Sequence, residues 1–442
     1  MPSPPTTSDF KLEPYWWEGQ APVDLQDDSL PERADVVIAG SGYAGLSAAL
    51  ELARSGASVV VLEKDALGEG ASTRNGGMVS GGINVGKYGN LMGKLGETKF
   101  RALLEDAGSA YAHLEAVVAR ENIACDYETR GRFIGAHTPK AFEAQSKRVD
   151  FLNDWCQTGA EMVPQERQSE YLDSAYYYGG MAVARSGALH PSRFHRGLLD
   201  ACQRHGVVMC SRTPLSGIVR SGDAYEVRTL TAALRAGEVV IATNGYTGTA
   251  TPWQRRRVIP VASYIIATEP LGKERIRSLF PTLACITDTN RSLAYYRPSP
   301  DYQRVVFGGR AGLPGSDLDT AVGRLYTRMC EIFPDLGGVR LSHAWTGNVA
   351  FTFDRLPHMG RDGTGVHYCL GCNGSGVSMM SYLGHRTALK LSGDDASPCA
   401  YDGLPFSTRP FYTGDPWLIS LIGRAAEWLD TWERRAAARR SR

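Results

Sequence analysis

The chain has 442 residues, more than one small core supports, and its 43% hydrophobic and 21% charged residues are those of a folded globular protein, which excludes disorder. Lys plus Arg number 48 against 47 Asp plus Glu, so a net charge of +1 gives no field that would draw a polyanion, and nucleic acid is excluded as a partner. No segment reaches the roughly 18 to 20 uninterrupted apolar residues of a membrane span. The N-terminus lacks a basic stretch followed by an apolar run, and the nine cysteines are scattered from Cys125 to Cys399. These features predict a cytoplasmic protein with mostly reduced, buried thiols. Cys369 and Cys372 form a CxxC, readable as packing, as a redox dithiol or as half a zinc site. The glycines around it and the absence of a second such pair favour packing.

Residues 1–33 are rich in proline and acid and predict an irregular arm whose Tyr15-Trp16-Trp17 cluster docks on the body. The branched apolar run 35–39 predicts a buried strand leading straight into Gly40-Ser41-Gly42-Tyr43-Ala44-Gly45. LSAALELARSG then carries leucine and alanine at helical spacing and closes on Gly56, and 58–62 is a second buried strand ending at Glu63. Helices are predicted at 97–122, 139–159 and 191–205, and strands at 206–210, 225–230 and 238–242. After Pro260 the texture is that of strands: VASYIIATEP, 292–297 and 304–308. Helices follow at 318–333, 377–391 and 417–436, the last ending in a solvated basic tail.

The spacing G-x-G-x-x-G has a physical cause at each glycine. Gly40 permits the tight turn, Gly42 lets backbone approach a pyrophosphate, and Gly45 lets helix and strand pack closely. The helix N-terminus that follows, with Tyr43 and Ala44, presents free N–H groups to phosphate. Glu63, ending the second strand, is placed to accept the ribose hydroxyls and would repel a 2′-phosphate. An NAD enzyme would continue with alternating strands and helices. Here Lys64 is followed by GEGASTRNGGMVSGGIN, which predicts FAD, with Gly70, Ala71, Ser72, Arg74 and Asn75 along the pyrophosphate and Gly76, Gly77 and Met78 beside the ring. Leu215, Thr243 and Asn244 complete the expected nucleotide contacts. Gly374, Ser375, Gly376 and Val377 form a late glycine–helix start that aims its dipole at the flavin N1–C2 carbonyl region.

GASTRNGG, Leu189-His190-Pro191, Ala242-Thr243-Asn244-Gly245-Tyr246, TEPL, YYR at 295–297, FGGR, WTGN at 345–348, Asp354-Arg355-Leu356-Pro357 and GCNGSGV at 371–377 resemble the D-amino acid oxidase superfamily of FAD oxidoreductases, most of all its γ-glutamylputrescine oxidase-like branch. The resemblance implies an α/β fold: a Rossmann-type FAD domain (34–90, 188–250 and 341–392) interrupted by a substrate domain with a mixed or antiparallel sheet (91–187 and 251–340). A C-terminal segment (393–442) follows. It also implies oxidation of a CH–NH bond of a small amine by hydride transfer to flavin N5, hydrolysis of the imine, and reoxidation by O₂ to H₂O₂.

Two departures bear on substrate. Relatives acting on α-amino acids carry an arginine two residues after the glycine of the WxG motif; here that residue is Val349, which disfavours an α-carboxylate and points to N-substituted or polyamine-like amines. Ser375 stands where the amine-oxidase branch usually has histidine. With no cysteine in 348–356, FAD is expected to be non-covalent.

Hydride transfer needs a neutral amine in a dry pocket and little acid–base machinery. Tyr295 and Tyr296 point to opposite faces of a strand, and Tyr296 is preferred for the flavin side, against a core role. Arg297 is its neighbour on the other face, as a structural cation. Trp345, His190 and Tyr264 are further pocket candidates, each with a packing alternative, and Lys87 and Tyr88 sit at the mouth or in a solvated loop. Competing functions are an amino acid oxidase or dehydrogenase of glycine- or sarcosine-oxidase type, and a non-catalytic flavin-binding module.

Overall fold

In the computed structural model, which describes residues 4–25, 30–87, 90–310, 317–394, 398–416, 429–430, 432–434 and 436, the strand Arg33–Ala39 pairs in parallel with Val59–Leu62 on one side and Ala233–Ile241 on the other. Val36–Ala39 and Val59–Leu62 are all buried, because helices and other elements cover both faces of this sheet. That burial is why these strands read as continuous apolar runs without alternation. Among the described residues the sheet has eight strands: Val208–Cys210 extends it past Val59–Leu62, Ala224–Thr229 and Leu215–Ser221 extend it antiparallel on the other side, and His367–Leu370, itself paired with His358–Arg361, joins Ala233–Ile241.

The crossover helix Tyr43–Arg54 lies against this sheet, and the helix Ser381–Leu391 packs along it. The contact is close enough that a Cβ on Gly384 would stand 2.2 Å from the carbonyl oxygen of Ala44. At the turn itself, Gly40 adopts φ +105°, and a Cβ on Gly45 would come 1.9 Å from the Gly40 oxygen.

A second, mixed sheet has nine strands in the order Thr6–Lys11, Leu341–Phe351, Ile259–Thr268, Val305–Gly309, Ala294–Pro298, Cys285–Asp288, Arg132–Gly135, Gly180–Val183 and Ala160–Val163. One face packs Tyr296, Phe307, Phe280 and Phe333 under the helix Leu318–Ile332. The other faces the first sheet across the cavities described below.

Four expectations change. The N-terminal arm is not wholly irregular, since Thr6–Lys11 forms an edge strand on Leu341–Phe351. That strand itself lies in the second sheet, so the segment 341–392 joins the first sheet only after residue 351. The helix expected at 139–159 is two, Pro139–Ser146 and Val149–Cys156, and the break lets Arg148 turn its guanidinium to the carbonyls of Ile83 and Val85. The late helix opens on a π-turn, Gly376–Met380. Of the helix expected at 417–436, residues 417–428, 431 and 435 lie outside the described residues, and the others are helical. Tyr88 also lies outside them. No helix among the described residues is long and apolar enough to cross a membrane.

Gly45→Ala forces its new methyl against backbone rather than a movable side chain. It is expected to lower the unfolding free energy by about 3 kcal/mol or more, read from the urea midpoint of the apoprotein.

Candidate active site

Two cavities, of about 450 and 470 Å³, share Gly42, Ala71, Ser72, Ala242 and Asn244 and so form one long trough between the sheets. The first is walled by the turn after Arg33–Ala39. Gly40, Glu63, Lys64, Gly70, Leu215 and Thr243 all line it. Glu63 is held in place because its Oε2 accepts hydrogen bonds from the Ser41 N–H at 3.0 Å and the Ser41 hydroxyl at 2.8 Å. The Ser41 carbonyl is in turn fixed by buried His195, 2.8 Å away, whose pKa desolvation depresses to about 4, so the neutral ring donates this bond.

The second cavity is bordered by the loop 70–78. Tyr43, Ala44, Asn75, Gly76 and Met78 line it from one side, and Gly374, Ser375, Gly376 and Val377 from another. A loop of this kind has no ladder to satisfy its backbone, and buried donors do so here. Trp16 Nε1–H donates to the Asn75 carbonyl at 2.8 Å and Trp345 Nε1–H to the Arg74 carbonyl at 2.8 Å. Asn75 Nδ2 donates to the carbonyls of Ala71 and Ser72, and its Oδ1 accepts from the Gly77 N–H. The guanidinium of Arg297 donates to the carbonyls of Gly77 and Leu189. Across the trough, Asn244 Oδ1 accepts from the N–H groups of Gly371 and Cys372, and Asn84 donates to the Ser375 hydroxyl at 2.8 Å.

Several expected site residues lie elsewhere. Tyr296 is fully buried on the far face of its strand, stacked on Phe307 with centroids 5.0 Å apart and bonded to Tyr177 at 3.1 Å. Tyr295 is the tyrosine that lines the cavity, its hydroxyl 2.9 Å from that of Ser263. The same one-residue phase applies on Ile259–Thr268, two places along the sheet, beyond Val305–Gly309, where Ser263 lines the cavity and Tyr264 packs in the core. Trp345 is buried behind the loop as its support. His190 caps the helix Pro191–Arg204 by accepting from the Arg193 N–H, its ring edge-on to Trp16 and its pKa pushed down to about 4 by burial. Arg74 touches neither cavity: its guanidinium donates to the carbonyls of Glu69 and Thr346 and lies 4.5 Å over the Trp17 ring. Gly77 and Gly45 also stay outside the trough, as close-packing glycines; a Cβ on Gly77 would meet the Leu189 oxygen at 2.2 Å.

The cavity also gathers residues that no motif announced, Arg132, His137, Gln145, Arg148, Arg291 and Phe351, beside Arg310 and Asn348 from the FGGR and WTGN segments, to which no role was given. Alternation along Arg132–Gly135 could have paired Arg132 with Ile134, yet nothing local says which face meets the cavity. His137, Asp430 and Glu433 bring ligand atoms within 4.8 Å of one another. Arg291 donates to both carboxylates, at 3.0 Å to Asp430 and 2.8 and 2.9 Å to Glu433, so this cluster is an ion-pair network.

Comparison with known proteins agrees with this geometry. The sequence profile of the DAO family, FAD dependent oxidoreductase, matches residues 35–389. Gamma-glutamylputrescine oxidoreductase of Escherichia coli (strain K12) is 30% identical over 406 residues, covering 88% of this chain and 90% of that one. A probable oxidoreductase OrdL of Haemophilus influenzae is 29% identical, over 84% of this chain and 86% of its own length. Among solved structures, glycine oxidase from Geobacillus kaustophilus superposes with a TM-score of 0.69 at 19% identity over 86% of this chain and 99% of that one. L-proline dehydrogenase from P. horikoshii gives 0.70 at 17% over 90% and 99%.

FAD fits the trough. An acid stands at one end, a side-chain-free stretch at Gly42 joins the two cavities, and the broader cavity lies beyond. Trp16→Phe keeps the ring but leaves the Asn75 carbonyl without its buried donor. The holoprotein is expected to lose about 1–3 kcal/mol of stability and to release FAD more readily, measured by thermal unfolding and by flavin fluorescence in the filtrate.

Proposed function

The chain belongs to the DAO family of FAD-dependent oxidoreductases, and from that premise we propose that it oxidises the CH–NH bond of a small N-substituted amine in the second cavity. FAD, bound along the trough, supplies the hydride acceptor. The amine gives up one carbon-bound hydrogen with both bonding electrons, and the iminium ion left behind takes up water to yield a carbonyl compound and a protonated shorter amine or ammonium. Oxygen is the proposed final acceptor, returning H₂O₂.

The observation that carries this reading is the composition of the cavity wall where the two sheets meet. Tyr295, Ser263 and Asn348 offer hydroxyl and amide groups able to orient an amine, and Val349 and Phe351 exclude water. Among the described residues the wall contains no Asp or Glu to act as a general base, and the only histidine in it, His137, is bonded to Thr289 and Glu433. Such a wall suits a transfer in which the chain positions the substrate and keeps it dry. It does not suit one that needs a proton relay. The likeness to gamma-glutamylputrescine oxidoreductase supports an N-substituted amine, and Val349 adds no cation beside the flavin for an α-carboxylate.

Anaerobic addition of a panel of secondary amines and N-acylated diamines is expected to bleach the yellow protein, and readmission of air to restore colour with one H₂O₂ per turnover. A protein bleached by no amine and no amino acid would sink the proposal. Glu63→Gln removes the charge from the proposed ribose acceptor and is expected to weaken FAD binding about tenfold, with the order of preferred amines unchanged; equilibrium dialysis and the same panel check this.

A further inference from the structure

Two buried guanidinium groups sit near the trough, and they differ in one respect. Arg297, 4% exposed, donates to three backbone carbonyls, those of Pro298, Gly77 and Leu189. It is what a structurally satisfied buried arginine looks like in this fold. Arg132, 5% exposed and lining the second cavity, has no side-chain hydrogen bond, ion pair or ring contact among the described residues, and its Nε is shut off from solvent with no acceptor. Stripping water from a guanidinium without replacing its hydrogen bonds is costly, so a partner entering the cavity is the physical reason to keep one there.

A second orphan stands beside it. Gln145, also 5% exposed and lining the same cavity, donates its Nε2–H to the carbonyl of Ile134, two residues along the strand from Arg132, at 2.8 Å. Its Oε1 is buried and accepts nothing. The amide cannot be turned round to relieve this, because that would bring Oε1 against the Ile134 carbonyl oxygen. The cavity therefore holds, from one strand and the helix packed on it, an unused cationic fork and an unused acceptor.

The wider field agrees. Lys87, Arg132, Arg148, Arg291 and Arg310 line the cavity, and no Asp or Glu does among the described residues. Asp430 and Glu433 offset Arg291 from outside. A free polyamine would carry several positive charges to this wall, whereas an amine with an acidic end would be drawn to it.

We infer that Arg132 and Gln145 form a subsite for an acidic tail on the substrate, Arg132 taking a carboxylate through its fork and Gln145 Oε1 accepting a neighbouring N–H, so that the amine oxidised is one that carries a carboxylate. This deepens the reading above and rests on it. The subsite is not a relocated α-carboxylate clamp at Val349: Arg132–Gly135 and Leu341–Phe351 are separated by four other strands in the sheet order, so Arg132 and Val349 meet the cavity from different parts of its wall.

The test is equilibrium binding of ligands that cannot be oxidised, so it is independent of turnover. Glutarate and its neutral diamide, glutaramide, are titrated into the holoenzyme at fixed ionic strength and followed by perturbation of the flavin absorbance. Glutarate is expected to saturate at least tenfold more tightly, and Arg132→Met to abolish that preference while FAD content stays at wild type. Equal affinity for the two ligands in the wild type, or a preference that survives in Arg132→Met, overturns the subsite. If Arg132→Met fails to hold FAD, Arg132→Lys, which keeps the charge but not the fork, is expected to lose glutarate affinity at least fivefold, and unchanged affinity overturns the inference. Amines paired with their carboxylate-bearing counterparts should show the same contrast in KM rather than kcat. If no amine bleaches the flavin but glutarate still binds through Arg132, it is the proposed reaction that fails and the subsite that stands.

Discussion

The segment from Ala71 to Met78 borders the trough, and between its 3₁₀ turn Ala71–Thr73 and the strand that begins at Met78 it has no ladder partner, so its carbonyls are satisfied from the side away from the trough. Two indoles and one guanidinium do this. Trp16 and Trp345, edge-on at 6.3 Å, each donate to one of two successive carbonyls, and Arg297 ties Gly77 to the segment before the helix Pro191–Arg204. These donors come from the N-terminal arm and from two strands of the second sheet. The loop is thus shaped by side chains that do not line the trough, and its geometry depends on both sheets being in place.

This dependence explains the path of the chain. A βαβ unit could bind a dinucleotide alone, yet here the chain leaves it for the second sheet and returns twice, first for the run of strands from Val208–Cys210 to Ala233–Ile241 and then for His367–Leu370 with the Gly371–Gly376 turn. Each return adds a wall: Leu215 and Thr243 on the first cavity, Gly374 to Val377 on the second. The division of charge follows the same line. The first cavity is walled largely by backbone at the turn Gly40–Gly42 ahead of the helix Tyr43–Arg54, while Arg132, Arg148, Arg291 and Arg310, which line the second, all come from segments in or beside the second sheet.

What was legible in the sequence was what depends on neighbours in sequence. The turn Gly40–Gly45, Glu63 and the late glycine turn line the trough or shape it because short-range sterics dictate them: a missing Cβ or an acid at a strand end has one structural use. The phase of an isolated strand is different. Tyr295 and Tyr296, or Ser263 and Tyr264, are adjacent and equally able to face either way, and only the helix Leu318–Ile332 covering the far face decides. Arg74 is a related case, since an arginine in a glycine loop suggests phosphate, whereas in the fold its guanidinium lies on the Trp17 ring and donates to the Glu69 carbonyl. Arg132 carried no signal at all, being one basic residue in an unremarkable strand.

The two tryptophans show the same asymmetry from the other side. Tryptophan at 345 was a reasonable pocket candidate, because large aromatics often form flavin walls, and Trp16 belonged to an arm expected only to dock. In the fold both are buried and both spend their single polar atom on loop carbonyls. A buried indole N–H needs an acceptor, and a loop carbonyl turned away from water needs a donor, so each requirement meets the other. The arm is therefore part of the active-site architecture: removing it would strip a donor from Asn75, whose own side chain holds Ala71, Ser72 and Gly77, and the disturbance would pass directly to the residues that join the two cavities.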